Sequence, residues 1–206
     1  MNFLFFLTIS DLWNKIKPFD YKLFSKINGD WHSAFLDSVI PYTREAYLWI
    51  PFYIFLALFA ILNFKRTGWF WVLFFIANVA LSDFISSHII KEYISRVRPC
   101  RDPMLADHIR FLVKSCPVNS SFTSSHAVNH FAAAMFIFST FKKISKWWAL
   151  IFVWAFIPSY AQVYVGIHFP LDVLCGMLVG ILLGYLVAKL FNNKIGIFYN
   201  ETGLVI

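Results

Sequence analysis

The stretch that decides the fold is AYLWIPFYIFLALFAILNF (residues 46–64), followed at once by Lys65 and Arg66 and then by TGWFWVLFFIANVALSDFISSHII (residues 67–90). The first segment carries no charge, and the second is interrupted only by Asp83 and His88. Roughly 20 mostly apolar residues suffice to carry a helix across about 30 Å of hydrocarbon. Two adjacent segments of that kind, separated by a basic pair, predict a membrane-spanning helical hairpin.

The rest of the chain agrees with this reading. Three more apolar segments follow: 125–141, with His126 and His130 at its start, 147–165 without charge, and 171–188 with Asp172 at its mouth. The 206 residues are 59% hydrophobic and 20% aromatic but only 14% charged, against about 25% charged in a soluble domain. That composition excludes a disordered chain, and three cysteines exclude a disulfide-built secreted scaffold. The predicted fold class is all-α: a polytopic transmembrane helical bundle of five to six spans.

Residues 1–45 mix Trp13, Tyr21, Phe24, Trp31 and Phe35 with Lys15, Lys17, Lys22 and Lys26. This pattern predicts amphipathic helices lying in the interface, with a sixth span as the alternative. Lys65, Arg66, Lys142, Lys143, Lys146, Lys189 and Lys194 share one end of the bundle, with almost no acids among them. The positive-inside rule places that end in the cytoplasm. Cys100 and Cys116 then fall in one non-cytoplasmic loop, where they can pair or stay as two thiols.

Three polar clusters gather at the opposite end. The second span closes with Lys91 through Arg98-Pro99, the third opens with Thr123-Ser124-Ser125-His126, and the fourth leads into His168 and Asp172. Lys91 and Arg98 are two helical turns apart, so a point cation and a planar fork can share one face. Ser124 and Ser125 stand where a helix begins, so hydroxyls and free N–H groups can both meet an anion. His168 and Asp172 are four apart, the spacing at which a carboxylate can hold one imidazole nitrogen and leave the other as a nucleophile.

As an ordered set these motifs resemble the type 2 phosphatidic acid phosphatases, the membrane branch of the superfamily that includes vanadium haloperoxidases and bacterial acid phosphatases. The family signatures are Lys-x6-Arg-Pro, Pro-Ser-Gly-His and Ser-Arg-x5-His-x3-Asp. The first is complete here, and the second keeps its Ser and His as Ser124 and His126. The third keeps His168 and Asp172, but Ala161 and Gln162 stand where the family has Ser-Arg.

The resemblance implies a lipid phosphate phosphatase domain over residues 46–206, with catalytic His168, His126 and Asp172. His168 would be the nucleophile that becomes phosphohistidine, Asp172 its support and His126 the general acid and base. Lys91, Arg98, Ser124, Ser125 and Gln162 would bind phosphate. No metal or other cofactor is implied. The implied partners are a lipid phosphate or diphosphate substrate and membrane lipids, with no nucleic acid. The implied location is a bacterial inner membrane, with the site facing the periplasm.

Gln162 keeps a hydrogen-bond donor but loses a cation, which Arg96 or Arg101 could supply from the neighbouring loop. A lipid phosphotransferase using the same intermediate, and a non-catalytic lipid-binding or transport protein, are the competing readings. Asp83 reads as a buried partner for a polar neighbour, and His130 as a packing residue. Gly176, Gly180 and Gly184 read as a ridge for helix packing.

Overall fold

In the computed structural model, residues 2–197, 199–200 and 203–204 are described. Among them, seven α-helices follow in chain order: α1 (Asn2–Ser25), α2 (Ala34–Thr43), α3 (Ile50–Phe84), the short α4 (Lys91–Tyr93), α5 (Ser125–Phe141), α6 (Ile151–Tyr164) and α7 (Pro170–Lys194). A two-residue antiparallel ladder, β1 (Tyr199–Asn200) with β2 (Gly203–Leu204), is the single departure from an all-helical chain among the described residues.

Helix α3 is two helices joined at a sharp reversal. Lys65 leaves helical geometry with φ 51° and ψ −121°. Beyond it, a Cβ added to Gly68 would stand 2.1 Å from the Ala60 carbonyl oxygen. Eight residues of straight helix span about 12 Å, so this approach requires the chain to turn back on itself. The reversal falls at the basic pair that separates the two apolar segments. Phe64 stacks on Phe141 with ring centroids 5.8 Å apart, and Phe141 meets Trp148 at 4.8 Å. The basic turn and the loop after α5 therefore occupy one end of the bundle.

Helix α7 shows what kind of solvent the bundle requires. Its buried glycines face α5, and a Cβ at Gly180 would meet the Val128 carbonyl oxygen at 2.3 Å. The opposite face carries Leu174, Leu178, Leu182, Leu186 and Leu190, every one about half exposed. A helix apolar on both its packed and its outward face needs a hydrocarbon surround. By length and apolarity, the stretches Ala46–Tyr93 and Pro170–Lys194 can each cross a membrane.

Two packed clusters divide the interior. One joins α3, α5, α6 and α7 through Leu56, Trp71, Phe136, Phe141, Trp154 and Phe191. Within it the Trp71 indole donates to Thr140 Oγ1 at 2.8 Å, satisfying both polar groups. The other cluster, around Phe24, Leu105, Tyr164 and Phe169, binds the N-terminal segment to the opposite end. There Asn28 donates to the carbonyls of Tyr164 and Arg110, both at 2.8 Å. This second cluster forms the floor on which the polar groups are assembled.

Candidate functional site

The three polar clusters meet at that end. Helix α5 is set against α7 by the Ser124 N–H, which donates to the Asp172 carbonyl oxygen at 3.1 Å. The turn after α6 is closed by Gln162, whose carbonyl oxygen accepts from both Ile167 and His168 N–H groups at 3.2 and 3.1 Å. This turn presents the buried His168 ring to Arg98.

Arg98 Nη1 lies 3.0 Å from His168 Nε2. A guanidinium donates only, so Nε2 is the acceptor and carries the lone pair, while the ring proton sits on Nδ1. Nδ1 is 3.4 Å from Ser121 Oγ and 3.7 Å from Asp172 Oδ2. Ser121 Oγ in turn donates to Asp172 Oδ2 at 2.5 Å. The carboxylate thus faces the imidazole mainly across a serine hydroxyl, rather than by the direct bond that the four-residue spacing predicts.

The remaining bonds of Arg98 go to the Asn119 side chain (2.7 Å) and to the carbonyls of Asn119, Ser120 and Ile167 (3.0–3.2 Å). Burial pushes its pKa down to about 10; Asp172 opposes the fall, and the like charges of Arg101 and Arg44 add to it. Burial likewise pushes the His168 ring down to about 4, against the Asp172 carboxylate and together with the charges of Arg98 and Lys91. A neutral imidazole at pH 7 keeps its lone pair. In selectively labelled protein, the ¹⁵N shifts of His168 should titrate near 4, with the proton bound only below that pH. A midpoint at or above 6.5 contradicts this geometry.

Arg96, one of the two loop cations expected to replace the missing arginine, does something else. Its guanidinium bridges Asp172 Oδ1 and Asp20 Oδ2, each at 2.5 Å. It also lies over the rings of Phe169 (4.1 Å) and Trp13 (4.8 Å). Asp20 Oδ1 accepts from the Leu171 N–H at 2.9 Å, and the Phe169 N–H donates to Asp172 Oδ2 at 2.9 Å. The carboxylate below His168 therefore accepts three hydrogen bonds, from Arg96, Ser121 and the Phe169 N–H, and Arg96 is itself anchored to α1 through Asp20.

Lys91, Arg96, Arg98 and Arg101 line an open basic cavity of about 370 Å³. Among the described residues the Lys91 ammonium has no hydrogen-bond or ion-pair partner, so it is free to meet an anion. His126 and Ser125 face a second, mostly apolar cavity of about 670 Å³ between α3 and α5. His130 donates from Nδ1 to the His126 carbonyl at 2.9 Å and packs against Trp154, as a structural residue would. Asp83 lies exposed at the rim of the apolar cavity and accepts from Asn129 Nδ2 at 2.9 Å, so its partner is there but the burial is not. Cys100 and Cys116 form a disulfide with Cα atoms 6.1 Å apart.

Two expected phosphate ligands make bonds within the protein. Ser124 Oγ caps α5 by accepting from the Ala127 N–H, and its own O–H remains a donor beside the N–H groups of that first turn. Gln162 is wholly buried, and its Nε2 donates to the Pro158 carbonyl of its own helix at 3.2 Å. A side chain within a tightly packed helix finds the carbonyl one turn back closer than any pocket. Gln162→Arg is therefore expected to lower thermal stability without raising turnover, because it adds a buried cation without a carboxylate. A gain in kcat/KM for a lipid phosphate would show that the new guanidinium reaches the site.

Ser121, Asn119 and Asp20 were not identified from the sequence as site residues. The run Asn119-Ser120-Ser121, one residue before Thr123, is the available signal; nothing around Asp20 marks it as a partner of Arg96, 76 residues on in the chain.

The site so assembled belongs to a helical protein that sets a buried histidine and its carboxylate beside clustered cations. The profile of the PAP2 superfamily matches residues 69–195, and the chain belongs to that family, which makes it an enzyme of the phosphatase class. It is 28% identical to a lipid A 4'-phosphatase of Bacteroides thetaiotaomicron, over 80% of this chain and 73% of that protein. It is 31% identical to an undecaprenyl-diphosphatase of Sulfolobus acidocaldarius, over 82% of this chain and 76% of the relative. The crystal structure of a transmembrane PAP2-type phosphatidylglycerolphosphate phosphatase from Bacillus subtilis superposes with a TM-score of 0.62 at 25% identity, covering 94% of each chain.

Proposed function

We propose that this protein is an integral membrane phosphatase that removes phosphate from a lipid phosphate or diphosphate headgroup through a phosphohistidine intermediate. The observation that carries the reading is the 3.0 Å contact between Arg98 and His168 Nε2, which leaves the lone pair of that nitrogen at the cationic centre. As the Arg98 N–H shifts from the Nε2 lone pair to a phosphoryl oxygen, Nε2 attacks phosphorus in line, and Asp172, with Ser121 between, stabilises the imidazolium as it forms. Lys91, Arg98 and the first-turn N–H groups of α5 stabilise the equatorial oxygens as charge shifts. His126 protonates the departing oxygen and then takes a proton from the water that hydrolyses the N–P bond.

In this reading the two halves of α3, together with α5, α6 and α7, cross a bacterial inner membrane, and residues 1–45 form a unit lying along the outer interface. The disulfide and His168 lie at one end of the bundle and the basic turn at Lys65 at the other, which supports a periplasmic site. The test is purified protein in detergent, offered a panel of lipid phosphates with EDTA present and orthophosphate release measured. Release that survives EDTA and is blocked by vanadate is expected. A strict need for added Mg²⁺ or Zn²⁺ contradicts the mechanism, and loss of lipid phosphate only with an added alcohol acceptor, without free orthophosphate, assigns a phosphotransferase.

A further inference from the structure

Arg44 is a cation that the mechanism above leaves unused. It caps the C-terminus of α2, its side chain is 18% exposed, and its Nε is buried without a hydrogen-bond partner among the described residues. The one ion pair found for it among the described residues is a 3.7 Å approach of Nη1 to Glu45, itself half exposed at 45%. An N–H shut off from water without an acceptor is unfavourable, so the position is one that a ligand's oxygen can satisfy. Asp83, the acid that lines the apolar cavity with Arg44, is already bonded by Asn129 and is not an ion-pair partner of Arg44 among the described residues.

The surroundings of Arg44 indicate which part of a ligand would meet it. Arg44 lines the apolar cavity that also holds His126, together with Tyr53, Phe75, Val79 and Ala133. Arg98, which meets His168 Nε2, lines the neighbouring basic cavity, and Arg44 is near enough for its charge to act on Arg98. Resting on the phosphatase reading above, His126 faces the departing oxygen, so the apolar cavity receives the leaving group. Apolar walls suit a hydrocarbon chain. A guanidinium within them suits a chain whose head remains anionic after the bond breaks.

We propose that Arg44 is a specificity-determining residue that binds the leaving-group phosphate of a lipid diphosphate. The lone pair of His168 Nε2 forms a bond to the distal phosphorus. The bond from that phosphorus to the bridging oxygen breaks, and its electron pair stays on the departing lipid monophosphate. Arg44 neutralises that charge while the proton of His126 passes to the same oxygen. Water then attacks the phosphohistidine, its proton goes to His126, the N–P electrons return to Nε2 and orthophosphate leaves. A lipid monophosphate, whose leaving group is a neutral alcohol, gives Arg44 no charge to bind.

The test compares farnesyl diphosphate with farnesyl monophosphate, which share one chain and differ in the leaving group. Full-length wild-type protein in detergent is expected to show the higher kcat/KM on the diphosphate. Arg44→Gln should shrink the diphosphate-to-monophosphate ratio by about tenfold or more, the scale of a lost charge-assisted hydrogen bond, and Arg44→Lys should restore part of it. A wild-type preference for the monophosphate overturns the proposal, as does a ratio that Arg44→Gln leaves unchanged, since a merely structural residue lowers both rates together. If wild type releases phosphate from neither compound nor from any lipid phosphate in the panel, the phosphatase reading itself fails. Release from other lipid phosphates but from neither farnesyl compound overturns only the assignment of Arg44.

Discussion

His168→Ala is expected to remove turnover altogether, a fall of about 10⁴-fold or more, as for the loss of a covalent nucleophile. The variant should still fold and insert, because the carboxylate beneath the ring keeps Arg96, Ser121 and the Phe169 N–H as partners. Acid-labile incorporation of radiolabelled phosphate into the protein should vanish with it. His126→Ala is expected to fall comparably on a lipid monophosphate, whose alcohol leaves poorly without a proton. More than trace activity in His168→Ala rules out the assigned nucleophile.

The second large effect is expected at Arg96. Its side chain is 8% exposed and separates two carboxylates that are wholly buried. Breaking a buried ion pair by removing one partner typically costs about 3–5 kcal/mol, because the other charge is left unpaired. Here two carboxylates are left facing each other. Arg96→Ala should therefore both lower the thermal midpoint in detergent and remove most activity, since Asp172 loses the group that aims it at Ser121 and His168. Asp20→Asn should do less harm, because the amide still accepts from the Leu171 N–H and Arg96 keeps Asp172. Equal, small effects of the two substitutions would show that the bridge is incidental.

Much of the architecture was legible because it follows from local physics. An uncharged run of 19 residues cannot be satisfied by a water-exposed helix, and a basic pair inside apolar sequence predicts the turn that Lys65 makes. The glycine ridge on α7 was readable for the same reason: a repeat of four puts small residues on one face, and a close helix partner is what such a face admits. Clusters at alternate ends of consecutive spans must come together once the spans alternate in direction.

The sequence by itself determined the helical architecture, the hairpin at the basic pair, and the end of the bundle at which the polar clusters gather. Those depend on residue type and short-range spacing, which a linear pattern records. What only the tertiary structure decided is which partner each polar group takes. Gln162 turns to its own helix, Ser124 accepts from the Ala127 N–H as a cap, Ser121 enters between Asp172 and His168, and Asp20 reaches Arg96 from 76 residues away. A short polar side chain bonds the nearest acceptor that packing leaves within about 3 Å. That neighbour is set by how α1, the loop after α4, and α7 are brought together, and no spacing along the chain encodes it.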